Sequence, residues 1–203
     1  VHAEEKVYKV GSATEWDSVM NSINEQTELE ATVILTKDIG IYNTQYKYSI
    51  GVFGKHIIIK SEGDGAPYSI GAKSMSSVSL TGDVTFDNVW LSLGQGSERS
   101  RGTISSFYAN GYTAEFTENF AQVITNLYGG ANGIKITASS GSNKGGTHLI
   151  INGDIICNAN SQNNKVFGGG LYSSSGSAGS VAGDVVIDLG PHCRVPWVYG
   201  GGE

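Results

Sequence analysis

Clusters of basic residues and long apolar runs are both missing from this sequence. The 13 Lys and Arg residues are outnumbered by 19 Asp and Glu, which gives a formal net charge of -6, and the longest basic grouping is the short segment Ser97–Gly102. A nucleic-acid partner is therefore excluded, because binding to phosphates needs clustered Lys and Arg. No stretch approaches the roughly 18 consecutive apolar residues of a membrane span, so we expect no direct insertion into a membrane.

Patterns typical of catalytic and metal sites are also missing. The four histidines show neither HxH nor HExxH spacing. The best acid pairs are Asp83 with Asp87 and Asp184 with Asp188, and neither has a nearby Lys, Arg or His to accept a proton. In each pair the first Asp follows a glycine at a turn, where a carboxylate accepts backbone hydrogen bonds. We therefore predict no enzymatic activity, no cofactor and no metal site.

Glycine is what the sequence has in abundance. The chain combines 29 glycines and three prolines with a charged fraction of 16%, a composition typical of many short strands joined by Gly, Ser and Asn turns. One amphipathic helix is predicted over residues 13–25, with Ser12 or Thr14 as N-cap. Its apolar face has helical spacing and contains Trp16, Met20 and Ile23.

Segments after this helix resemble one another. "GKHIIIKSEG" is similar to "GTHLIINGD", and "GDVTFD" to "GDVVID". The spacings of 24 residues from Ile34 to Ile58 and 22 from Ile58 to Leu80 match one turn of a parallel β-helix. We therefore predict an all-β fold, a right-handed parallel β-helix (a solenoid) whose first coil is capped by the N-terminal helix.

The alignment of the later turns places the two cysteines at equivalent positions. An offset of 36 residues places Leu149 on Val185, and the same offset places Cys157 on Cys193. Neighbouring strands lie about 4.7–4.9 Å apart, within the Cα separation that a disulfide tolerates. The pair is expected either to form a disulfide, as in an exported protein, or to stack as two small apolar side chains in the core.

The two ends of the chain suggest the domain limits. Val1 and Ala3 occupy the −3 and −1 positions of a signal-peptidase site, although an arbitrary boundary gives the same pattern. We expect residues 1–5 to be a flexible N-terminus and residues 6–203 to form a single β-helix domain. The closing "VYGGGE" looks like the start of a further turn, which predicts that the domain is truncated from a longer protein.

The opening "VYKVGSATEWDSVMNSINEQTELEATVILTKDI" and the later "VFGGGLYSSSGSAGSVAGDVVIDLG" with "VYGGG" carry a resemblance. They resemble the Gly-rich parallel β-helix regions of large secreted or cell-wall-anchored surface proteins of Gram-positive bacteria, including gut commensals. The resemblance implies an extracellular location on the bacterial surface and an adhesin-like module that binds a host glycoprotein, glycan or immunoglobulin. It carries over no active site. As a fragment, the chain is expected to be monomeric.

Two aromatic segments are the candidate binding surfaces. The first contains Tyr42, Tyr46 and Tyr48, and the second contains Arg99, Arg101, Tyr108 and Tyr112. Tyr and Arg are enriched at protein hot spots, and Tyr rings also stack on sugars. The alternative for both segments is a structural role: tyrosines packed on the flank of the first coils, and a solvated turn that leads into a strand. A polysaccharide lyase or glycoside hydrolase of β-helix type and a passive stalk are the alternative functions. The predicted binding residues are Tyr42, Tyr46, Tyr48, Arg99, Arg101, Tyr108 and Tyr112.

Overall fold

The computed structural model describes residues 6–41, 44–45, 50–71, 77–92, 102–155, 163–172 and 179–203. These residues form mainly short strands and one helix, and every strand pair is parallel, which confirms an all-β fold. In chain order the elements are β1 (Lys6–Val10), α1 (Ala13–Glu25), β2 (Glu30–Leu35), β3 (Ile39–Gly40), β4 (His56–Ser61), β5 (Ser69–Gly71), β6 (Ser77–Ser79), β7 (Asp83–Asp87), β8 (Trp90–Ser92), β9 (Ile104–Tyr108), β10 (Thr113–Phe116), β11 (Ile124–Tyr128), β12 (Thr147–Ile151), β13 (Lys165–Phe167), β14 (Val185–Leu189) and β15 (Trp197–Tyr199).

The described strands form three sheets that the chain visits in turn. The large sheet has seven strands in the order β1-β2-β4-β7-β10-β12-β14, a second sheet has the order β15-β13-β11-β9-β6, and a third has the order β3-β5-β8. From β4 to β9 the chain runs twice through the large sheet, the three-stranded sheet and the five-stranded sheet, and from β10 onward the described strands alternate between the large and the five-stranded sheets. Each new strand therefore pairs with the strand of the previous pass rather than with its neighbour in sequence.

The registers correct the spacings expected from the sequence. Ile34 pairs with Lys60 and Ile58 pairs with Thr85, so the steps are 26 and 27 residues instead of 24 and 22. Leu80 does not belong to the large sheet at all, because it forms an isolated bridge with Ile50. An apolar residue shows which side of a strand faces the core, but it does not show to which sheet the strand belongs. The alignment of apolar residues therefore assigned Leu80 to the wrong sheet.

The later register also differs from the expected offset of 36. Leu149 pairs with Ile187, an offset of 38, and Asp154 pairs with Arg194, an offset of 40. In this register the residue level with Cys193 is Gly153. Cys193 is half buried and has no disulfide partner among the described residues, and burial and the charge of Asp154 raise the pKa of its thiol. Cys157 lies outside the described residues, so its pairing stays a prediction.

The helix α1 begins and ends where the sequence predicts. The Ser12 hydroxyl accepts a hydrogen bond from the backbone N–H of Glu15, with 3.2 Å between Oγ and N, which satisfies one of the donors left free at a helix start. Three of its apolar side chains are fully buried in the same core as the strands of all three sheets, and Val19, on the same face, is partly buried against that core. The three fully buried side chains are Trp16, Met20 and Ile23.

No basic residue lies in the last turn of α1; instead, Lys55 from the next pass serves this end. Its Nζ donates hydrogen bonds to the carbonyl oxygens of Gln26, at 2.5 Å, and Glu28, at 2.9 Å. We expect Lys55→Met to lower the free energy of unfolding by about 1–2 kcal/mol, since charged hydrogen bonds at a helix C-terminus are lost while the apolar stem remains. Urea denaturation measures the change, with the exposed Lys37→Met as control; equal stability of the two variants would contradict this role.

Side chains of the large sheet alternate between the core and the outer surface. In β4, Ile57 and Ile59 are fully buried, while His56, Ile58 and Lys60 are only partly buried and face outward. The core contains side chains from all three sheets. Within the described residues no helix combines the length and the apolar character that crossing a membrane requires.

Gln122 closes one edge of the three-stranded sheet. Its side chain is fully buried, and its amide oxygen accepts a hydrogen bond from the backbone N–H of Leu91 in β8 at 2.7 Å. Its amide nitrogen donates to the carbonyl oxygens of Leu91 and of Gly102. One glutamine thereby satisfies the backbone groups that a further strand would have paired.

The repeated aromatic-glycine signature brings successive passes close together. Gly130 N–H donates to the Gly169 carbonyl at 3.0 Å, and Gly169 N–H donates to the Gly201 carbonyl at 2.9 Å. A Cβ on Gly130 would lie only 2.6 Å from the backbone nitrogen of Gly170. The signature is therefore required by the close backbone approach at this corner.

Candidate functional site

The outer face of the large sheet carries a connected set of polar side chains. His56 Nδ1 lies 2.8 Å from a carboxylate oxygen of Glu30, and His56 Nε2 lies 2.8 Å from the hydroxyl of Thr85. The Thr85 hydroxyl in turn donates to Glu115 at 2.8 Å. These four residues come from β2, β4, β7 and β10, so the chain of contacts runs across the sheet and holds its side chains in place.

Asp87, at the end of β7, is a further polar residue of this face that hydrogen bonds hold in place. Its Oδ1 accepts hydrogen bonds from the Thr117 hydroxyl at 2.6 Å and from the Asn119 side-chain amide at 2.8 Å. The residue opposite Asp87 in the neighbouring strand β4 is Lys60. The carboxylate of Asp87 is therefore held by the segment that follows β10.

Two concavities meet at this point. One encloses about 520 Å³ and the other about 530 Å³. Both are lined by Asp87 and Asn119, so they are adjacent, and we call the two together the polar groove. Its other lining residues are Lys9, Ile34, Lys60, Ser61, Glu62, Gly63, Asp64 and Asn88 at one end, and His56, Ile58, Thr85, Glu115, Thr117, Glu118 and Asn152 at the other.

The two lysines of the polar groove differ in their surroundings. Lys9 is paired with Glu62, with 2.5 Å between Nζ and Oε1. Lys60 is half buried, and among the described residues it has neither an ion-pair partner nor a hydrogen-bond partner. Its ammonium group therefore has donors available for a ligand in the groove.

Carboxylates in the groove do not converge on a metal. Within the described ranges, no group of three or more His, Cys, Asp and Glu side chains is arranged to hold a metal ion. Chemically, the groove presents the held carboxylate of Asp87, the exposed carboxylate of Glu118, which is 3.2 Å from His192, amides from Asn88 and Asn119, and the donors of Lys60. Such an arrangement can bind a ligand that is rich in hydroxyl groups.

Most of the binding residues predicted from the sequence lie outside the described residues. They are Tyr42, Tyr46, Tyr48, Arg99 and Arg101. The structure places the remaining two, Tyr108 and Tyr112, in different surroundings and brings neither of them to the polar groove.

Tyr108 is a packing residue. It is 4% exposed, and its ring stacks on that of Tyr128, with centroids 5.0 Å apart. The stack continues from Tyr128 to Phe167 and from Phe167 to Tyr199. A ring enclosed in this ladder offers no surface to a ligand, so Tyr108 is not part of the binding surface considered below.

Tyr112 is half buried beside an apolar cleft of about 330 Å³. The cleft also involves Phe53 and Ile134, whose side chains are 71% and 65% exposed. Burial and the nearby charge of Asp83 raise the pKa of Tyr112. This is the one predicted aromatic residue, among those described, that lies at a concave surface.

The polar groove was missed by sequence reasoning. Its residues come from outward positions of strands and from the connections that follow them, and they range in sequence from Lys9 to Asn152. Only the register brings them together, and the spacings inferred from apolar residues were wrong by two residues or more. The signal in the sequence was the set of residues that alternate with the buried apolar ones along a strand, such as His56 and Lys60 in "HIIIKS".

Comparisons of the chain with protein-family models, with curated protein sequences and with solved structures find no match.

Proposed function

We propose that the chain is a non-catalytic, extracellular binding module of a bacterial surface protein and that its polar groove takes a glycan. The observation that carries the proposal is the groove itself, two concavities of about 520 and 530 Å³ joined at Asp87 and Asn119. Two adjacent open depressions on one sheet suit an extended ligand, such as a chain of sugar units, better than a compact cofactor.

The lining of the groove supports a glycan over an apolar ligand. Carboxylate, amide, hydroxyl and ammonium groups all face it, and together they can pair with both the donor and the acceptor of a sugar hydroxyl. Ile34 and Ile58 are half buried within it and add small apolar patches, against which the C–H face of a sugar ring can pack. Hydrogen bonds within the lining fix the side chains before a ligand arrives, which reduces the entropy lost on binding.

The proposed architecture is a right-handed parallel β-helix, with the three sheets as its sides and α1 as the cap of its first coil. Parallel pairing between successive passes supports this arrangement. Right-handed crossovers between parallel strands are the general rule, which supports the hand. In this architecture each coil depends on its neighbours for burial, and the polar groove runs across several coils.

Binding to a panel of soluble glycans and host glycoproteins tests the proposed function. The panel contains neutral and acidic polysaccharides, mucin, and immunoglobulin G with and without its glycans, and affinity is measured by biolayer interferometry. We expect saturable binding to at least one glycan, and we expect Lys60→Met combined with Asn119→Ala to weaken it about 10- to 100-fold, since each loses hydrogen bonds to the ligand.

Matched substitutions elsewhere separate binding from stability. Lys37→Met and Asn132→Ala change the same residue types at exposed positions outside the groove, so they are expected to leave the affinity unchanged. Glycan binding that survives in the groove variant, or binding to immunoglobulin G that does not depend on its glycans, would contradict the proposed site. Failure to bind any member of the panel would favour a passive stalk.

A glycoside hydrolase is the second candidate, because Asp87, Glu115 and Glu118 all line one concavity. Hydrolysis of a glycosidic bond needs a pair of carboxyl groups that flank the bond. Incubation of the protein with each polysaccharide, followed by an assay for new reducing ends, tests this candidate. We expect no release; a release that Glu118→Gln abolishes would replace the binding function by hydrolysis.

A further inference from the structure

The charged side chains that line the polar groove are mainly acidic. Lys9 already has an acidic partner, since its Nζ lies 2.5 Å from Glu62 Oε1. Lys60 is therefore outnumbered by four carboxylates that have no Lys or Arg partner among the described residues. A ligand in the groove meets a negative electrostatic potential. The two lysines of the lining are Lys9 and Lys60, and its five acids are Glu62, Asp64, Asp87, Glu115 and Glu118.

The concavity of about 530 Å³ is the more acidic of the two. Three of the acids line it, namely Asp87, Glu115 and Glu118, whereas both lysines line only the other concavity. Lys60 is level with Asp87 in the neighbouring strand, but no ion pair joins them. Glu118 is exposed and lies 3.2 Å from His192, which offsets its charge when that ring is protonated. Asp87 and Glu115 are therefore the carboxylates whose charge faces this concavity.

His56 also lines this concavity but does not neutralise these two acids. Its Nδ1 is directed at Glu30 and its Nε2 at the hydroxyl of Thr85, each at 2.8 Å. Glu30 is not part of the lining, so a charge on the His56 ring is paired outside the groove. The negative charge of Asp87 and Glu115 is left for a ligand.

Each of these two carboxylates has one oxygen available. Asp87 accepts its hydrogen bonds from Thr117 and Asn119 with Oδ1, and Glu115 accepts the Thr85 hydroxyl with Oε2. In the part of the chain that the structure describes, no donor lies on Asp87 Oδ2 or on Glu115 Oε1. Both side chains are half buried and held in place, so the two acceptors are positioned before a ligand arrives.

The two carboxylates are near enough to act on one group of a ligand. Glu115 pairs with Thr85 across β10 and β7, and Asp87 follows Thr85 by two residues on the same face of the sheet. Strand spacing and rise place the Cα atoms of Asp87 and Glu115 roughly 8 Å apart. An ammonium group has three donors and a positive charge, so it can bind the available oxygen of one carboxylate and be attracted by the other.

Acidic and neutral ligands fit this charge less well. The carboxylate of an acidic sugar would be repelled by Asp87 and Glu115, and specific sites use such repulsion as well as attraction. A neutral sugar would form hydrogen bonds but would leave both charges unpaired. A metal ion is no substitute, because within the described ranges no three His, Cys, Asp and Glu side chains are arranged to hold one.

We propose that the polar groove selects its glycan by charge, binding amino sugars whose amine is free and protonated and rejecting acidic sugars. Asp87 and Glu115 determine this specificity, while Lys60 and Asn119 bind the hydroxyl groups of neighbouring sugar units. The selectivity rests on the glycan-binding function proposed above and names the class of sugar that the groove takes.

Three tetrasaccharides of equal length test the selectivity. They consist of glucosamine, of N-acetylglucosamine and of galacturonic acid, so they are cationic, neutral and anionic. Isothermal titration calorimetry at about pH 6, where sugar amines are mostly protonated, gives the dissociation constants. We expect the glucosamine tetramer to bind at least tenfold more tightly than the acetylated tetramer, and the galacturonic acid tetramer at least tenfold more weakly. Salt raised from about 50 to about 500 mM is expected to reduce both differences.

Conservative substitutions assign the selectivity to the two acids. Asp87→Asn with Glu115→Gln removes both charges but retains oxygens that can accept the same hydrogen bonds. We expect the preference for the glucosamine tetramer to fall below about threefold in this variant. Glu25→Gln with Asp184→Asn changes the net charge equally at exposed positions outside the groove, so it should retain the preference. Circular dichroism checks that both variants are folded.

The two proposals for the groove can fail separately. Equal binding of the glucosamine and acetylated tetramers, equal binding of the acetylated and galacturonic acid tetramers, or an equal loss of preference in the control variant would overturn the charge selectivity and leave glycan binding in place. A lysine tetramer that binds as tightly as the glucosamine tetramer would identify a basic peptide as the occupant instead. No binding of any of the three sugars at about 10 mM would contradict the glycan function itself, and the selectivity with it.

Discussion

Phe116→Ala is expected to lower the free energy of unfolding by about 3–5 kcal/mol. Phe116 is fully buried, and its ring stacks on Phe86 with centroids 5.4 Å apart. Phe107 and Phe120 contact it at centroid distances of 5.4 and 5.0 Å. Truncation removes the ring from the centre of this cluster, and the rigid strands on either side limit how far the cavity can close. Guanidinium denaturation measures the loss.

Phe53→Ala is the matched control for this prediction. The Phe53 side chain is 71% exposed, so its truncation is expected to change stability by less than about 0.5 kcal/mol. If the two variants unfolded at the same denaturant concentration, the four phenylalanines would not form the tightly packed cluster that the structure describes.

Gly130→Ala is expected to cost about 2–4 kcal/mol, because the close approach of two passes leaves no room for a methyl group. The added Cβ would lie 2.6 Å from the nitrogen and 2.8 Å from the Cα of Gly170, and 2.9 Å from the carbonyl carbon of Gly169. These are backbone atoms in hydrogen-bonded positions, so relief requires separation of the strands rather than rotation of a side chain. Thermal unfolding followed by far-ultraviolet circular dichroism reports the change.

Gly200→Ala, in another copy of the same aromatic-glycine signature, gives the opposite expectation. No atom lies within 4 Å of the position that its Cβ would occupy, and its φ is not in the left-handed region. The substitution should leave stability unchanged or raise it by about 0.5 kcal/mol, through a lower entropy of the unfolded chain. An equal loss in the Gly130 and Gly200 variants would mean that glycine is needed at this corner for its flexibility and not for its small size.

Local sequence patterns predicted the helix and every strand of the large sheet except β1, whereas five strands of the other two sheets were not predicted: β5, β9, β11, β13 and β15. The helix is specified by Ser12 at its start and by an apolar face with helical spacing, and both signals act within a few residues. The strand "HIIIKS" alternates regularly, and the structure has the same limits, His56–Ser61. Strand β1 was missed, because its five residues are half exposed and lie before the only helical signal.

The pairing of strands was harder to predict than the strands themselves. Successive passes along the large sheet lengthen from 26 residues between β2 and β4 to 38 between β12 and β14. The additional residues lie in the connections, whose length costs little free energy and leaves no periodic pattern. A fixed repeat length therefore cannot locate the partner of a given residue, and shifts by two residues keep the apolar side chains inside.

The candidate sites could not be predicted without the pairing of the strands. Asp87 and Asn119 are 32 residues apart in sequence, and their hydrogen bond exists only because β7 and β10 are neighbours. Phe53, Tyr112 and Ile134 likewise come from three passes. Counting aromatic residues along the chain identified Tyr112 but also Tyr108, because aromatic content does not distinguish a ring at a cleft from a ring in a buried stack.

Gln122 is expected to limit aggregation of the protein in concentrated solution. An uncovered edge strand exposes backbone donors and acceptors to which a strand from another molecule can add, and such addition is a common route to aggregation. At β8 the glutamine amide occupies both backbone groups of Leu91. A single buried side chain thus protects β8 at Leu91 against intermolecular strand addition.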